Sequence, residues 1–133
     1  MIYLDSAATS LQKPPEVVRA VVRAMQSCAS PGRGDHAAAM RAAETVFACR
    51  EEAAVLFHMT QPENVVFTMN ATHALNIAVH SLVQSGMRVA VSGFEHNAVM
   101  RPLYASGASI LTSDTPLFDS AALIDWFERH LPE

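Results

Sequence analysis

From residue 65 onward the chain predicts an α/β fold of parallel type, and three observations carry that reading. A β-branched run, Val65-Val66-Phe67-Thr68, gives way to apolar residues at helical spacing. Two further short runs, Arg88–Ser92 and Ser109–Thr112, are each followed by a helical stretch. Strand and helix thus alternate three times, the pattern of parallel strands joined through helices. Composition agrees with a packed domain. Half of the 133 residues are hydrophobic and 17% are charged, too apolar and too weakly charged for a disordered chain.

Taken in order, Ile2-Tyr3-Leu4 is a very short strand candidate. Pro14 and Pro15 suit a helix first turn, where a missing N–H costs nothing. Val18, Val21, Val22 and Met25 then recur at helical spacing, and Ser30-Pro31-Gly32 stops the helix. PGRGD (31–35) reads as a loop. A long Ala-rich helix is predicted from about His36 to His58, with Ala39, Ala43, Val46, Phe47 and Ala54 available for packing, until Gln61-Pro62-Glu63-Asn64 breaks it. Val65–Thr68 is predicted as a buried strand. Leu75, Ala78, Val79, Leu82 and Val83 form an amphipathic helix stripe, with Gly86 as its expected C-terminal cap. After the strand at 88–92, Asn97 to Ser106 reads as a helix that Pro102 would strain or kink. The strand 109–112 and a last helix from about Ser120 to Leu131, capped by Asp119 or Ser120, complete the chain. Residues 1–60 are expected to form an N-terminal helical segment, and 61–133 the start of an α/β domain.

Several function classes are excluded by counting. No apolar run approaches the roughly 18 residues of a membrane span. The start MIYLDSAATS has no basic segment followed by an apolar one, so no signal peptide is expected and a cytoplasmic location is. Eight Arg and one Lys against 13 acids argue against broad nucleic-acid binding. Cys28 and Cys49 are isolated and read as packing residues, and His73 and His80 lack partners at ligand spacing, so no metal site is expected. Lys13 is the only lysine.

In open α/β sheets ligands bind beyond the carboxyl ends of strands, and two turns qualify. Met69-Asn70-Ala71-Thr72-His73 leads into a helix whose N-terminus offers free N–H groups, with the Thr72 hydroxyl as a further donor; together they could cradle a phosphate. Asn70 can adopt the left-handed conformation such a turn often needs. The same residues also fit a plain helix cap made by Thr72. In Ser92-Gly93-Phe94-Glu95-His96-Asn97, His96 could stack on a planar ligand or move protons near neutral pH; it could equally be a loop histidine or one hydrogen-bonded in the core. Arg33 could serve an anionic substrate or simply be solvated.

Four segments in register give the chain its resemblance. YLDSAATSLQKP (3–14), PGRGDH (31–36), VVFTMNATHALN (65–76) and SGFEHNAV (92–99) resemble the N-terminal part of a cysteine desulfurase, in the class V aminotransferase family of pyridoxal-phosphate enzymes. The resemblance implies the N-terminal portion of the fold-type I large domain, with an incomplete mixed or parallel sheet and flanking helices, and with the C-terminal domain absent. It implies pyridoxal 5'-phosphate as cofactor. Ala71 and Thr72 would meet its phosphate through backbone N–H and hydroxyl, with His73 extending the turn, and His96 would stack on its ring and be placed for proton transfer. Ala7 and Ala8 match a small turn near the substrate pocket, and Arg33 and His36 a loop that in related dimers lies near the partner subunit's site. Asn70 stands where many relatives carry glycine.

The resemblance also defines what is lacking. The family needs a Schiff-base lysine, an acid at the pyridine nitrogen and, for desulfuration, a sulfur-accepting cysteine, all contributed later than the matched region. Lys13, Cys28 and Cys49 fall outside those places, and Asp114, Asp119 and Asp125 follow no pyridine-binding pattern. The expectation is a fragment of an enzyme that converts L-cysteine to L-alanine with sulfur transfer to an acceptor, inactive as an isolated chain. Alternatives are a selenocysteine lyase or transaminase of the same family, one half of a split enzyme completed by another chain, and a non-catalytic binding module. Homodimerisation is the family's habit, and a small amino acid its substrate.

Overall fold

The computed structural model describes residues 2–131. The chain divides into two compact units, one ending at Val66 and the other beginning at Phe67. Among the described residues, no helix is long and apolar enough to cross a membrane.

The first unit contains α1 (Pro15–Ser27), α2 (Ala37–Leu56) and a single 3-10 turn, Pro62–Asn64. Pro15 opens α1 at its first position, as its fixed φ favours. The end of α1 is fastened to the start of α2: the Ala29 N–H donates to the Ala38 carbonyl at 3.1 Å, and Arg41 donates from Nε and Nη2 to the Ser27 carbonyl. Ala39, Ala42 and Ala54 are buried on α2. Phe47, expected to pack, is 41% exposed. The helical periodicity of α1 is real, but its apolar stripe is not buried: Val18, Val21, Val22 and Met25 are all exposed, and α1 contains no buried residue. Amphipathicity forms a helix; burial also needs a surface of matching size, and α2 offers one lined largely by alanine.

The second unit contains α3 (Ala71–Leu82), β1 (Arg88–Val91), α4 (Asn97–Ser106), β2 (Ser109–Thr112) and α5 (Ser120–His130). β1 and β2 pair in parallel, Val89 opposite Ile110 and Val91 opposite Thr112, with α4 as the crossover between them. The core is Val79 of α3, Val91 of β1 and Leu103 of α4, with Val83, Val89, Val99, Met100 and Ile110 packed around it. Pro102 is buried inside α4, which runs unbroken to Ser106. Gly107 then adopts φ +74° as the left-handed cap, and its carbonyl accepts from the Gly86 N–H at 3.0 Å. A Cβ on Gly107 would lie 2.9 Å from Ser85 Oγ, so both conformation and space demand glycine there. In α5, the indole of Trp126 is buried and stacks on the His130 ring at 4.4 Å.

Three expectations are corrected. Ile2–Leu4 is not a strand, and Ile2 and Leu4 are almost fully exposed. Val65–Thr68 is not a strand either, and Val66 is 74% exposed. Both runs have strand composition, but a strand exists only when a neighbour accepts its ladder of hydrogen bonds, and no such neighbour stands beside them among the described residues. Gly86 does not cap α3, which ends at Leu82 with Val83 as its cap residue; Gly86 instead makes the φ +83° turn into β1.

Leu103 is 2% exposed. Leu103→Ala is expected to lower the stability of the second unit by about 2–5 kcal/mol, read from urea unfolding through Trp126 fluorescence. An unchanged midpoint would remove Leu103 from the core.

Candidate functional site

Helices α3 and α4 begin in the turns marked out from the sequence. Asn70 precedes α3 with φ −168° and ψ 172°, an extended conformation and not the left-handed one expected. The reason is capping: its Oδ1 accepts from the His73 N–H at 2.9 Å, a geometry that requires extended backbone at the cap. Asn70, not Thr72, is therefore the cap. Thr68 Oγ1 donates to the Asn70 carbonyl at 2.9 Å and braces the turn from the other side. The N–H groups of Ala71 and Thr72 find no acceptor among the described residues. They stay available at the positive end of the helix dipole, beside the Thr72 hydroxyl.

The approach to α4 is tighter. A Cβ on Gly93 would lie 2.8 Å from the Ser113 carbonyl oxygen, so the chain leaving β1 can pass the end of β2 only without a side chain. Ser92 Oγ bonds the Glu95 carboxylate at 2.6 Å and accepts from the Phe94 N–H. His96 caps α4, its Nδ1 accepting from the Ala98 N–H at 3.1 Å. An accepting Nδ1 places the ring proton on Nε2, which leaves Nε2–H and the ring face for a ligand.

Thr72 and His96 line the same cavity, about 510 Å3, between α3 and α4. Asn76 and His80 continue the wall on α3, and Asn97 and Arg101 on α4. Asn76 Nδ2 is engaged with the Thr72 carbonyl at 2.9 Å. The lining includes Arg101 and two histidines but no carboxylate. Its chemistry is that of an anion carried on a planar body: the free Thr72 N–H and hydroxyl, the His96 imidazole, and the Arg101 charge line one space.

Among the other residues marked out, Ala71 contributes its N–H, and His73 gives its N–H to the Asn70 cap; neither lines the cavity. Ala7 and Ala8 lie in a turn closed by the Ala8 N–H to the Asp5 carbonyl, and the Tyr3 hydroxyl donates to the Thr9 carbonyl at 2.6 Å across it. Arg33 is in the loop before α2, and His36 caps α2 by accepting from the Ala39 N–H. These four residues belong to the first unit, whereas the cavity is built from the second alone. Lys13, also in the first unit, donates from Nζ to the Ser10 carbonyl. Among the described residues no cluster of three or more His, Cys, Asp or Glu could hold a metal ion. Sequence reasoning missed Asn76, Asn97 and Arg101 and considered His80 only as a metal ligand. The available signal was spacing by four, 72–76–80 on α3 and 97–101 on α4, which repeats one helix face.

Asn70→Ala should cost about 1 kcal/mol through the lost cap and speed amide exchange in the first turn of α3. Equal exchange in both proteins would mean that the side chain does not hold that turn. Gly93→Ala should cost more than a neutral surface change, because a backbone carbonyl must move; a melting temperature within error of the parent would count against the close approach to Ser113.

Comparison with known proteins adds the family. Residues 2–109 match the model for "Aminotransferase class-V". The chain is similar to a probable cysteine desulfurase of Vibrio cholerae, 35% identical over 107 residues that cover 77% of this chain and 26% of that protein. It is also similar to one of Synechocystis, 31% identical over 107 residues, covering 77% of this chain and 25% of that one. The crystal structure of the cysteine desulfurase CsdA from Escherichia coli superposes with a TM-score of 0.62 at 28% identity, covering 93% of this chain and 34% of that chain. The chain thus spans about a quarter to a third of the length of these relatives.

Proposed function

The chain belongs to the aminotransferase class-V family, and we propose that it forms the phosphate- and ring-binding part of a pyridoxal-phosphate site in a cysteine desulfurase-like enzyme. The observation that carries this reading is that Thr72 and His96, from segments 24 positions apart, line one cavity. The residues fit the cofactor's non-covalent half: two unpartnered N–H groups and a hydroxyl for the phosphate, and a helix-capping imidazole held at Nδ1 for the ring. When bound, the cofactor supplies an electron sink for bonds at the α-carbon of an amino acid.

This chain's own residues bind and orient. The first turn of α3 neutralises the phosphate with N–H dipoles, and Thr72 adds one directional hydrogen bond. His96, held by its Nδ1 bond to Ala98, presents Nε2–H and its face at a set angle. Lys13 is the only lysine and does not line the cavity, so covalent attachment of the cofactor and the proton transfer that goes with it are assigned to the part of the family fold outside this chain. The substrate is L-cysteine, with sulfur passed to an acceptor, and the reaction is cytoplasmic. It needs the remaining part of the family fold, supplied as continuous chain or as a complementing one, in the homodimer usual for the family.

A thermal melt with and without pyridoxal phosphate tests the reading. Saturation at a hundredfold excess over the dissociation constant should add about 2.7 kcal/mol of stability. Thr72→Ala and His96→Ala should each remove much of that shift. No shift in the parent chain would refute the proposed site. The chain alone should release no alanine from L-cysteine above a cofactor-only control.

A further inference from the structure

The wall of the cavity between α3 and α4 holds an arginine that the phosphate cup on α3 does not use. Acids outnumber Lys and Arg by 13 to 9 in the chain, yet the cavity wall holds Arg101, His80 and His96 with no carboxylate among its lining residues. Arg101 is not neutralised by its own helix. The residues three and four positions away are Ala98, Asn97, Tyr104 and Ala105, none acidic. Arg19, Arg129 and Arg41 are partnered, with Glu16, Asp125 and the Ser27 carbonyl, whereas Arg101, like Arg23 and Arg50, has no side-chain partner among the described residues. No ion pair or hydrogen bond of Arg101 occurs among the described residues, so its whole guanidinium fork remains available for a planar anion.

Helix geometry separates His80 from the first turn of α3, and Arg101 from the first residue of α4. At about 1.5 Å per residue, His80 lies roughly 12 Å along the axis from Thr72, and Arg101 about 6 Å along α4 from Asn97. An anion seated on the Ala71 and Thr72 N–H groups cannot also be the anion that His80 faces. We propose that Arg101 and His80, which line the same groove, form a second anion subsite, separate from the first turn of α3, that takes the carboxylate or phosphate group of a small ligand. Asn97, the first residue of α4, also lines the groove and adds a neutral donor. The proposal shares a cavity with the cofactor reading but not the residues that bind the phosphate, and it survives if that reading fails.

The test is a nitrogen–proton NMR titration of the full chain, following the Arg101 Nε–Hε and His80 ring signals. Sodium acetate and inorganic phosphate are the probes, with sodium chloride at matched ionic strength as control. Each is run with and without excess pyridoxal phosphate. The expected result is a saturable shift at Arg101 and His80 with acetate, phosphate or both, persisting when pyridoxal phosphate is present. Acetate alone would assign a carboxylate ligand, phosphate alone a phosphorylated one. Arg101→Gln should weaken binding about tenfold or more, since a charge-assisted hydrogen bond is lost, and Arg101→Lys should recover part of it. Helical circular dichroism checks that both variants fold. A linear drift no larger than that with chloride, a phosphate response confined to the Ala71 and Thr72 amides, or complete displacement of the anion by pyridoxal phosphate would each overturn the proposal. If pyridoxal phosphate leaves the Thr72 amide unmoved while Arg101 still saturates with anion, the cofactor reading fails and the second subsite stands.

Discussion

Two adjacent parallel strands cannot be joined by a tight turn; the chain must leave the sheet, cross over and return. That constraint organises the second unit. Between β1 and β2 the crossover is α4, and the contact that holds it is Leu103 against Val79 of α3 and Val91 of β1. Because this one apolar cluster locks two helices to the same strand pair, the first turns of α3 and α4 border a common space. The cavity lined by Thr72 and His96 is thus a by-product of core packing.

Capping decides what the site can offer. α3 is capped by a side chain two positions before Thr72, so the Asn70 carboxamide satisfies the His73 N–H and leaves those of Ala71 and Thr72 free. α4 is capped by the candidate ring-stacking residue itself. The Nδ1 bond of His96 to Ala98 satisfies a helix donor, fixes the tautomer and sets the ring's direction in a single contact. Gly93 and the Ser92–Glu95 hydrogen bond act one step further back, by letting β1 turn sharply enough to start α4 where it does.

Apolar surface is distributed unevenly. The second unit buries a small cluster, while the valine stripe of α1, Ile2, Leu4, Val66 and Phe67 are exposed. These are sequences with the chemistry of buried faces, in a chain that spans a quarter to a third of the relatives it matches. The energetics explain why Val65–Thr68 is not a strand here. β-propensity contributes at most about 1 kcal/mol per residue and depends on neighbours for most of it. Without a paired edge it cannot offset the entropy of fixing four residues at roughly 1–2 kcal/mol each.

How much of this was legible in advance follows from range. Local chemistry determined the five helices, the two paired strands and a cap at Asp119 or Ser120, which the structure resolves to Asp119, because periodicity and caps act within a few residues. The motifs around Thr72 and His96 were legible for the same reason. Tertiary structure alone decided that these two residues share a cavity, that Asn76, His80 and Arg101 extend it, and that Asn70 caps in an extended conformation. It also decided against strands at 2–4 and 65–68. A strand is completed by a neighbour distant in sequence, and a pocket by two helices whose approach is set by side chains on a third element; neither relation is encoded in the spacing of residues along one segment.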